Sequence, residues 1–387
     1  MIQESGNATI YNENGVFNMS GGKIVSNATG NNPYGVYVKN STSSIHISGR
    51  SEIICNYGTA ITISSSLNTK PIIGTDDGNI NNKFPMIQGA NNGIWLGSNI
   101  AQFYDGLIKG VKASIDVAKV ETAYVVQNGV EEINNSIYNT AYLSSAAEMV
   151  ASVNGTEYAT IQEAINKVPK NNTETVITLL RSTREAIKVE KNQKVRFDLQ
   201  NYIIANKGIT NVIVNTGDIT ISNGSILSDT TQGAINNNTN GKLTITGGKI
   251  KAFGTRQAIY NDGGDLTISG AAYLSSTTSE RATVQNHGSG PIKITGGTII
   301  STGAQGLNIE KGTVTIGDNT DGELKTVPII QGATYGVTAN VNFNFYDGTL
   351  KGERAAINNE SRVRLAEGYK LEHGTESTFK TAFVKVQ

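Results

Sequence analysis

The chain has 387 residues, of which 43 are glycine, 37% are hydrophobic and only 17% are charged. Its 32 basic and 32 acidic side chains cancel, so the sequence lacks the excess positive charge that is typical of proteins that bind nucleic acids. No apolar run reaches about 18 residues, and we therefore predict no membrane insertion.

The chain contains one cysteine, Cys55, so an internal disulfide is impossible and a small buried thiol is the simplest interpretation. Only three histidines accompany it, far apart in the sequence, and we predict neither a metal nor a cofactor. The residues after Met1 are polar and begin in the middle of a strand pattern, without a signal peptide. We expect the sequence to be an excised piece of a longer chain.

A strand phrase recurs along the chain. It consists of alternating apolar residues, one or two glycines, and then an apolar residue. Copies of the phrase lie at Met19–Ile24, Ile45–Gly49, Ile219–Gly224, Thr244–Ile250, Leu266–Gly270 and Lys293–Ile299. The equivalent positions Gly224, Gly248, Ala271 and Gly297 are 24, 23 and 26 residues apart.

A period in the twenties without helical periodicity predicts a β-solenoid, because the alternative, leucine-rich repeats, needs a leucine ladder that is missing here. We predict an all-β fold, a right-handed parallel β-helix with about 24 residues per coil. In such a fold Asn237, Asn261 and Asn286, spaced by 24 and 25 residues, would form one column of stacked amides on successive coils.

In addition to the short repeat, the sequence contains a longer repeat with an offset of about 242 residues. Its matching pairs are Pro85–Ala90 with Pro328–Ala333, Gln102–Gly106 with Asn344–Gly348, Lys109–Gly110 with Lys351–Gly352, and Thr140–Tyr142 with Thr381–Phe383. We therefore interpret residues 1–147 as the C-terminal half of a β-helix module and residues 148–387 as a second, whole module. The parent protein would be a tandem array of such modules.

The second module begins with a different pattern. Thr160 and Glu163 have the spacing of a capping box, and an amphipathic stripe ends at Pro169, which predicts a short helix near 160–168. Strand-like runs follow at Thr175–Leu180, Ala186–Val189, Val195–Leu199 and Tyr202–Ala205. Residues 148–205 are thus predicted to cap the open end of the solenoid, and residues 206–387 to form its coils and C-terminal cap.

The entry segment, with Val153–Gly155, Thr160–Ile165, Val176–Leu180 and Val195–Leu199, resembles that of pectate-lyase-like parallel β-helices. The Thr-Ile-Thr-Gly-Gly coils resemble those of adhesive modules in large bacterial surface proteins. This resemblance covers nearly the whole chain and implies the fold, but the fold hosts lyases, hydrolases, tailspikes and adhesins alike.

Enzymes of this fold rely on clustered acids, and the acids in this chain favour turns instead. Asp76–Gly78 and Thr320–Gly322 are turn sequences, and Asp262, Asp265 and the Tyr-Asp-Gly acids Asp105 and Asp347 are spread along the chain. His287 is the nearest match to a hydrolase histidine, but the preceding coil offers no acid cluster to accompany it. We predict no catalytic residue, with a polysaccharide lyase or glycoside hydrolase as the alternative.

Exposed aromatic residues are the candidate ligand-binding groups, because aromatic rings stack on saccharide rings. Trp95 is the first candidate, since strand alternation places it opposite Ile94 and Leu96 and hence outward. Tyr104 and Tyr346, in the repeated Tyr-Asp-Gly phrase, are the other two. The sequence thus predicts an extracellular module of a bacterial cell surface, an adhesin or stalk, monomeric within its array, with a glycan or host surface as its ligand.

Overall fold

The computed structural model describes residues 7–318 and 324–387. It confirms the predicted all-β solenoid, with stacked parallel coils of about 24 residues and very little helix. The chain divides into two compact units, unit 1 at Met1–Glu148 and unit 2 at Met149–Gln387.

Unit 1 contains two sheets. Sheet 1 is wholly parallel and consists of Ala8–Asn12, Tyr34–Val38, Thr59–Ile63 and Ile94–Trp95. Sheet 2 consists of Val16–Ser26, Ser44–Cys55, Ile72–Ile73, Met86–Gly89, Ala101–Phe103, Leu107–Gly110, Val120–Glu121, Val125–Ile133 and Ser136–Ser144. A 3-10 turn lies at Val117–Lys119. The core between the sheets is rich in isoleucine and includes Cys55, which is buried as predicted.

Unit 2 has three sheets, one for each side of its coils. Sheet 3 consists of Ala151–Val153, Thr156–Tyr158, Glu174–Leu179, Lys194–Asp198, Asp218–Ile221, Lys242–Ile245, Asp265–Ile268, Ile292–Ile294, Val314–Ile316, Phe343–Phe345 and Val363–Arg364. Sheet 4 consists of Thr183–Arg184, Ile203–Gly208, Ser225–Thr230, Lys249–Ala252, Tyr273–Ser276, Thr298–Ser301, Ile329–Gly332, Thr349–Gly352, Tyr369–Glu376 and Phe379–Val386. Sheet 5 consists of Ile187–Val189, Ile213–Asn215, Ile235–Asn238, Ile259–Asp262, Val284–Asn286, Leu307–Ile309, Tyr335–Ala339 and Ala355–Ile357.

The strand pattern explains the stacking. Within a coil, alternate residues point inward, so Ile221, Ile245 and Ile268 pair in register on successive strands of sheet 3 and are all buried. Glycine recurs at the corners for a steric reason. Gly248 has a φ of +76°, and a Cβ there would lie 2.7 Å from the carbonyl oxygen of Asn223 on the preceding coil. These glycines therefore lie at the same corner of successive coils, and their spacing in the sequence equals the length of one coil.

A short helix covers the first coil of unit 2. The helix spans Ile161–Ile165 and ends three residues earlier than predicted. A separate 3-10 turn lies near the other end of the unit, at Glu360–Arg362. The predicted capping box is present between Thr160 and Glu163. The carboxylate of Glu185 also accepts hydrogen bonds from the backbone nitrogens of Ile161 and Gln162, at 2.8 and 2.9 Å. These contacts fix the helix over the buried core of the unit.

Each unit ends in an antiparallel hairpin, at Val125–Ser144 in unit 1 and at Tyr369–Val386 in unit 2. In both units the hairpin pairs with a strand of the coil before it at equivalent positions. Lys109 pairs with Thr140 in unit 1, and Lys351 pairs with Thr381 in unit 2. The longer sequence repeat therefore corresponds to a repeated cap structure.

The predicted asparagine column is confirmed in sheet 5. Asn237 Nδ2 donates to Asn261 Oδ1 at 2.7 Å, and Asn261 Nδ2 donates to Asn286 Oδ1 at 3.0 Å. Asn215 extends the column by one coil, with a bond of 2.8 Å to Asn237, a member that the sequence analysis missed. The column lies in the interior, since all four side chains are fully buried. It ends where the paired positions become apolar, at Val189 and Ile309.

Candidate functional site

The outer surface of sheet 1 carries the candidate site. Tyr37, Thr62 and Trp95 pair in register on three neighbouring strands and face away from the core, whereas the intervening positions, such as Ile61 and Ile94, face inward. Neighbouring strands are about 4.8 Å apart, so Tyr37 and Trp95 are separated by about 10 Å with the small Thr62 between them. A large residue on each side of a small one produces a depression in the sheet surface.

Trp95 has the outward orientation that the sequence predicts. Its side chain is 48% exposed, although Ile94 and Leu96 on either side are buried. Its six-membered ring lies beside Gly97, where a Cβ would be only 3.8 Å from ring carbons. The indole therefore presents a half-exposed apolar surface to solvent at the edge of the depression.

Loops from three coils deepen the depression into a groove of about 370 Å³. We call it the aromatic groove, and it is lined by Gly30, Asn31, Asn32, Pro33, Tyr34, Tyr57, Gly58, Thr59, Thr62, Asn91, Asn92 and Trp95. Three of these residues are aromatic, and Tyr57 is 60% exposed. Four are asparagines, whose amides both donate and accept hydrogen bonds. The groove thus combines flat apolar rings with neutral hydrogen-bonding groups and has no charged side chain among its lining residues.

An aromatic strip leads into this groove. The Tyr11 and Tyr37 rings stack with their centroids 5.4 Å apart, and the Tyr34 ring lies 5.1 Å from that of Tyr37. Lys39 Nζ lies 5.7 Å from the centre of the Tyr11 ring and 2.7 Å from Glu13 Oε1. The strip and the groove together form a continuous aromatic surface on one face of unit 1.

No family model, no curated protein and no solved structure matches the chain.

The other two aromatic candidates lie elsewhere. Tyr104 follows a strand of sheet 2 and is not part of the aromatic groove, and Tyr346 is at the equivalent position in unit 2. Both are only partly exposed, and both donate a backbone hydrogen bond to the preceding coil, to Ile73 and Ile316 respectively. The structure therefore associates Trp95 with Tyr34 and Tyr57 rather than with the Tyr-Asp-Gly phrase.

The acids of that phrase are buried. Asp105 is 7% exposed and Asp347 is 1% exposed, so neither carboxyl group lies at the surface. The cause is a close approach between coils, since a Cβ at Gly74 would lie 2.4 Å from Asp105 Oδ1, and Gly317 has the same relation to Asp347. Desolvation raises the pKa of Asp105 to about 6, opposed by a hydrogen bond from the Thr75 backbone and reinforced by the charge of Asp77.

The remaining acids give no sign of a metal site. Asp77 Oδ1 accepts a bond of 2.9 Å from the backbone nitrogen of Asn79, as in a turn, and Thr320–Gly322 lies outside the described residues. Within residues 7–318 and 324–387, no three His, Cys, Asp or Glu side chains are grouped as metal ligands. The described part of the chain also contains no helix with the length and apolarity needed to cross a bilayer.

His287 does have an acidic neighbour, contrary to the sequence analysis. Its Nδ1 lies 2.7 Å from Glu310 Oε2 on the next coil, and its ring stacks on Tyr260 with centroids 5.6 Å apart. The other oxygen of Glu310 accepts bonds from Gln285 and Asn308, at 2.5 and 3.3 Å. The sequence signal for this contact is the spacing of 23 residues between His287 and Glu310, which is close to the length of one coil.

Proposed function

We propose that the chain is a non-catalytic extracellular module of a bacterial cell-surface protein, an adhesin or stalk that binds a glycan in the aromatic groove. The observation that carries the proposal is the half-exposed Trp95 beside Tyr34, Tyr57 and four asparagine amides in one open groove. The surface location is supported by the resemblance of the coils to bacterial adhesive modules and by the repeated caps, which suit a tandem array.

A saccharide suits the chemistry of this groove better than other ligand classes do. Its ring has an apolar face that can cover Trp95, and its hydroxyls can pair with the amides of Asn31 and Asn92. The volume of the groove, about 370 Å³, leaves room for such a ring. Because no charged residue lines the groove, we propose a neutral sugar residue as the ligand at this site.

We expect the Trp95→Ala variant to lose binding. Truncating an aromatic anchor of a binding site costs about 2 kcal/mol, so affinity for the bound glycan should fall at least tenfold. The measurement is a glycan array probed with the wild type, followed by titration of each hit with both proteins.

Tyr202→Ala is the matched control, because Tyr202 is also exposed but belongs to unit 2. It should bind as the wild type does. An array without any bound glycan, or equal binding by Trp95→Ala, would contradict the proposal.

A second candidate function, a polysaccharide lyase or glycoside hydrolase, is favoured by one observation, the contact of His287 with Glu310 beside Tyr260. However, both carboxylate oxygens of Glu310 are engaged by side chains of the protein, which suits positioning of the imidazole better than attack on a substrate. Large rate enhancements need several preorganised groups around one reacting atom. We therefore expect no cleavage.

The test for cleavage is incubation with polygalacturonate and related uronic-acid polymers, followed by assays for reducing ends and for unsaturated products. We expect neither product above the level of a buffer blank. Turnover by the wild type that disappears in His287→Ala would favour the enzyme instead.

A further inference from the structure

Unit 2 has a groove of its own over sheet 5, with a volume of about 260 Å³. It is lined by Asn211, Gln232, Asn236, Arg256, Gln257, Tyr260 and Arg281. Arg256 and Arg281 each precede their strand by three residues, and those strands begin with the paired residues Ile259 and Val284. The two arginines therefore occupy equivalent positions on neighbouring coils, and both line the groove. We call this site the arginine groove.

Neither guanidinium has a carboxylate partner in the part of the chain that the structure describes. Arg256 uses its Nε to donate to the backbone oxygen of Thr231 at 3.0 Å, which leaves the two terminal nitrogens free to face the groove. Two like charges one coil apart repel each other in the absence of a counter-ion. An anion between them would remove this repulsion and accept their hydrogen bonds.

The other lining residues surround the two cations with neutral groups. Tyr260 is partly exposed, and its ring stacks on that of His287. Asn236 lies beside Tyr260 in the register of sheet 5, and its Oδ1 has no hydrogen-bond partner among the described residues. An entering hydroxyl could donate to this atom. The surroundings of the arginines are thus suited to an oxyanion that is attached to a ring with hydroxyl groups.

Two acids lie near enough to Tyr260 to affect its pKa. Burial raises the pKa of Tyr260. The negative charges of Asp262 and Glu310 raise this pKa further, whereas the positive charge of Arg281 lowers it. Tyr260 therefore remains a neutral phenol at pH 7, able to donate and accept. Glu310 is already held by His287, Gln285 and Asn308, so it does not neutralise the two arginines.

We propose that the arginine groove binds the oxyanion of an acidic saccharide, a sulfate ester or a carboxylate, between Arg256 and Arg281, with the sugar ring against Tyr260. The two guanidinium groups supply N–H donors from neighbouring coils, and the planar fork of arginine suits both oxyanions. This site lies in unit 2 and takes a charged residue, so it is separate from the neutral site proposed in the aromatic groove.

The test is calorimetric titration of the whole chain with three hexasaccharides. A sulfated galactan supplies sulfate esters, hyaluronan supplies carboxylates, and cellohexaose is neutral. The variants are Arg256→Gln and Arg281→Gln. The control is Lys293→Gln, which removes the same charge from an exposed residue on sheet 3.

We expect at least one acidic probe to bind the wild type, more tightly than cellohexaose and more weakly as salt is added. Each arginine variant should weaken that binding at least tenfold, whereas Lys293→Gln should not. The probe that binds identifies which of the two oxyanions the groove accepts.

Three results would overturn the proposal. These are no binding of either acidic probe, an equal loss in Lys293→Gln, and loss of acidic-probe binding in Trp95→Ala, which would place the ligand in unit 1. Because the glycan proposed for unit 1 depends on Trp95 and not on the arginines, the two proposals fail separately.

Discussion

Replacing Asn261 with alanine is expected to destabilise unit 2 by about 2–6 kcal/mol, because it leaves two fully buried polar groups unpaired at about 1–3 kcal/mol each. One is an N–H of Asn237, which loses its acceptor, and the other is Oδ1 of Asn286, which loses its donor. The second N–H of Asn237 keeps its bond to the backbone oxygen of Asp265, whereas the backbone oxygen of Gly264 also loses its bond of 2.9 Å from Asn261 Nδ2.

Asn238→Ala is the matched control for this variant. Asn238 belongs to the same strand as Asn237, but strand alternation turns it outward, and it is partly exposed. Urea unfolding followed by circular dichroism, with hydrogen exchange of sheet 5 amides, measures the difference. We expect the control to change stability by less than about 1 kcal/mol, which is typical of surface substitutions. Similar losses in both variants would show that the column contributes little.

Replacing Asp105 with asparagine is expected to stabilise unit 1 above pH 6. The carboxyl has a pKa raised from its usual 3.8 to about 6 by desolvation, so between these values the folded unit holds a proton that the unfolded chain has released. The free energy of unfolding therefore falls as the pH rises through this window. A shift of two pKa units corresponds to about 3 kcal/mol of folding stability. The wild type loses this stability as the pH rises through the window, and the asparagine variant should keep it.

Trp95 makes this prediction measurable within one unit. It is the only tryptophan in the sequence, so its fluorescence follows the unfolding of unit 1. Denaturant titrations from pH 4 to pH 8 should give similar stabilities for both proteins at pH 4 and a widening difference towards pH 8. Parallel curves for the wild type and Asp105→Asn would mean that Asp105 is ionised at no cost in the folded unit.

The coils could be predicted because their determinants are local and periodic. Gly224, Gly248 and Gly297 mark a corner where a side chain would meet the backbone of the neighbouring coil, so their spacing gives the coil length. The asparagine column follows from the same period, since Asn237 and Asn261 differ by one coil. Asn215 has the same register but a shorter spacing of 22 residues, and for that reason it was missed.

The candidate sites could be predicted only in part, because they depend on which loops meet. Alternation around Ile94 gives the outward direction of Trp95, but Tyr57 and Asn31 join it only after the coils are stacked. Asp105 could not be recognised as buried, since its burial depends on the approach of Gly74 from the preceding coil. By contrast, Arg256 and Arg281 are one period apart and could have been found by comparing exposed charges at that spacing.

The central claim, that the aromatic groove is a glycan-binding site, is tested most directly by the fluorescence of Trp95. The wild type should be titrated with a glycan that the array identifies, and Tyr57→Ala, which removes a second wall of the groove, should be titrated beside it. The account predicts a saturable change in Trp95 emission for the wild type and at least tenfold weaker binding for the variant. Glycan binding that leaves the emission of Trp95 unchanged, with equal affinity in both proteins, would contradict it.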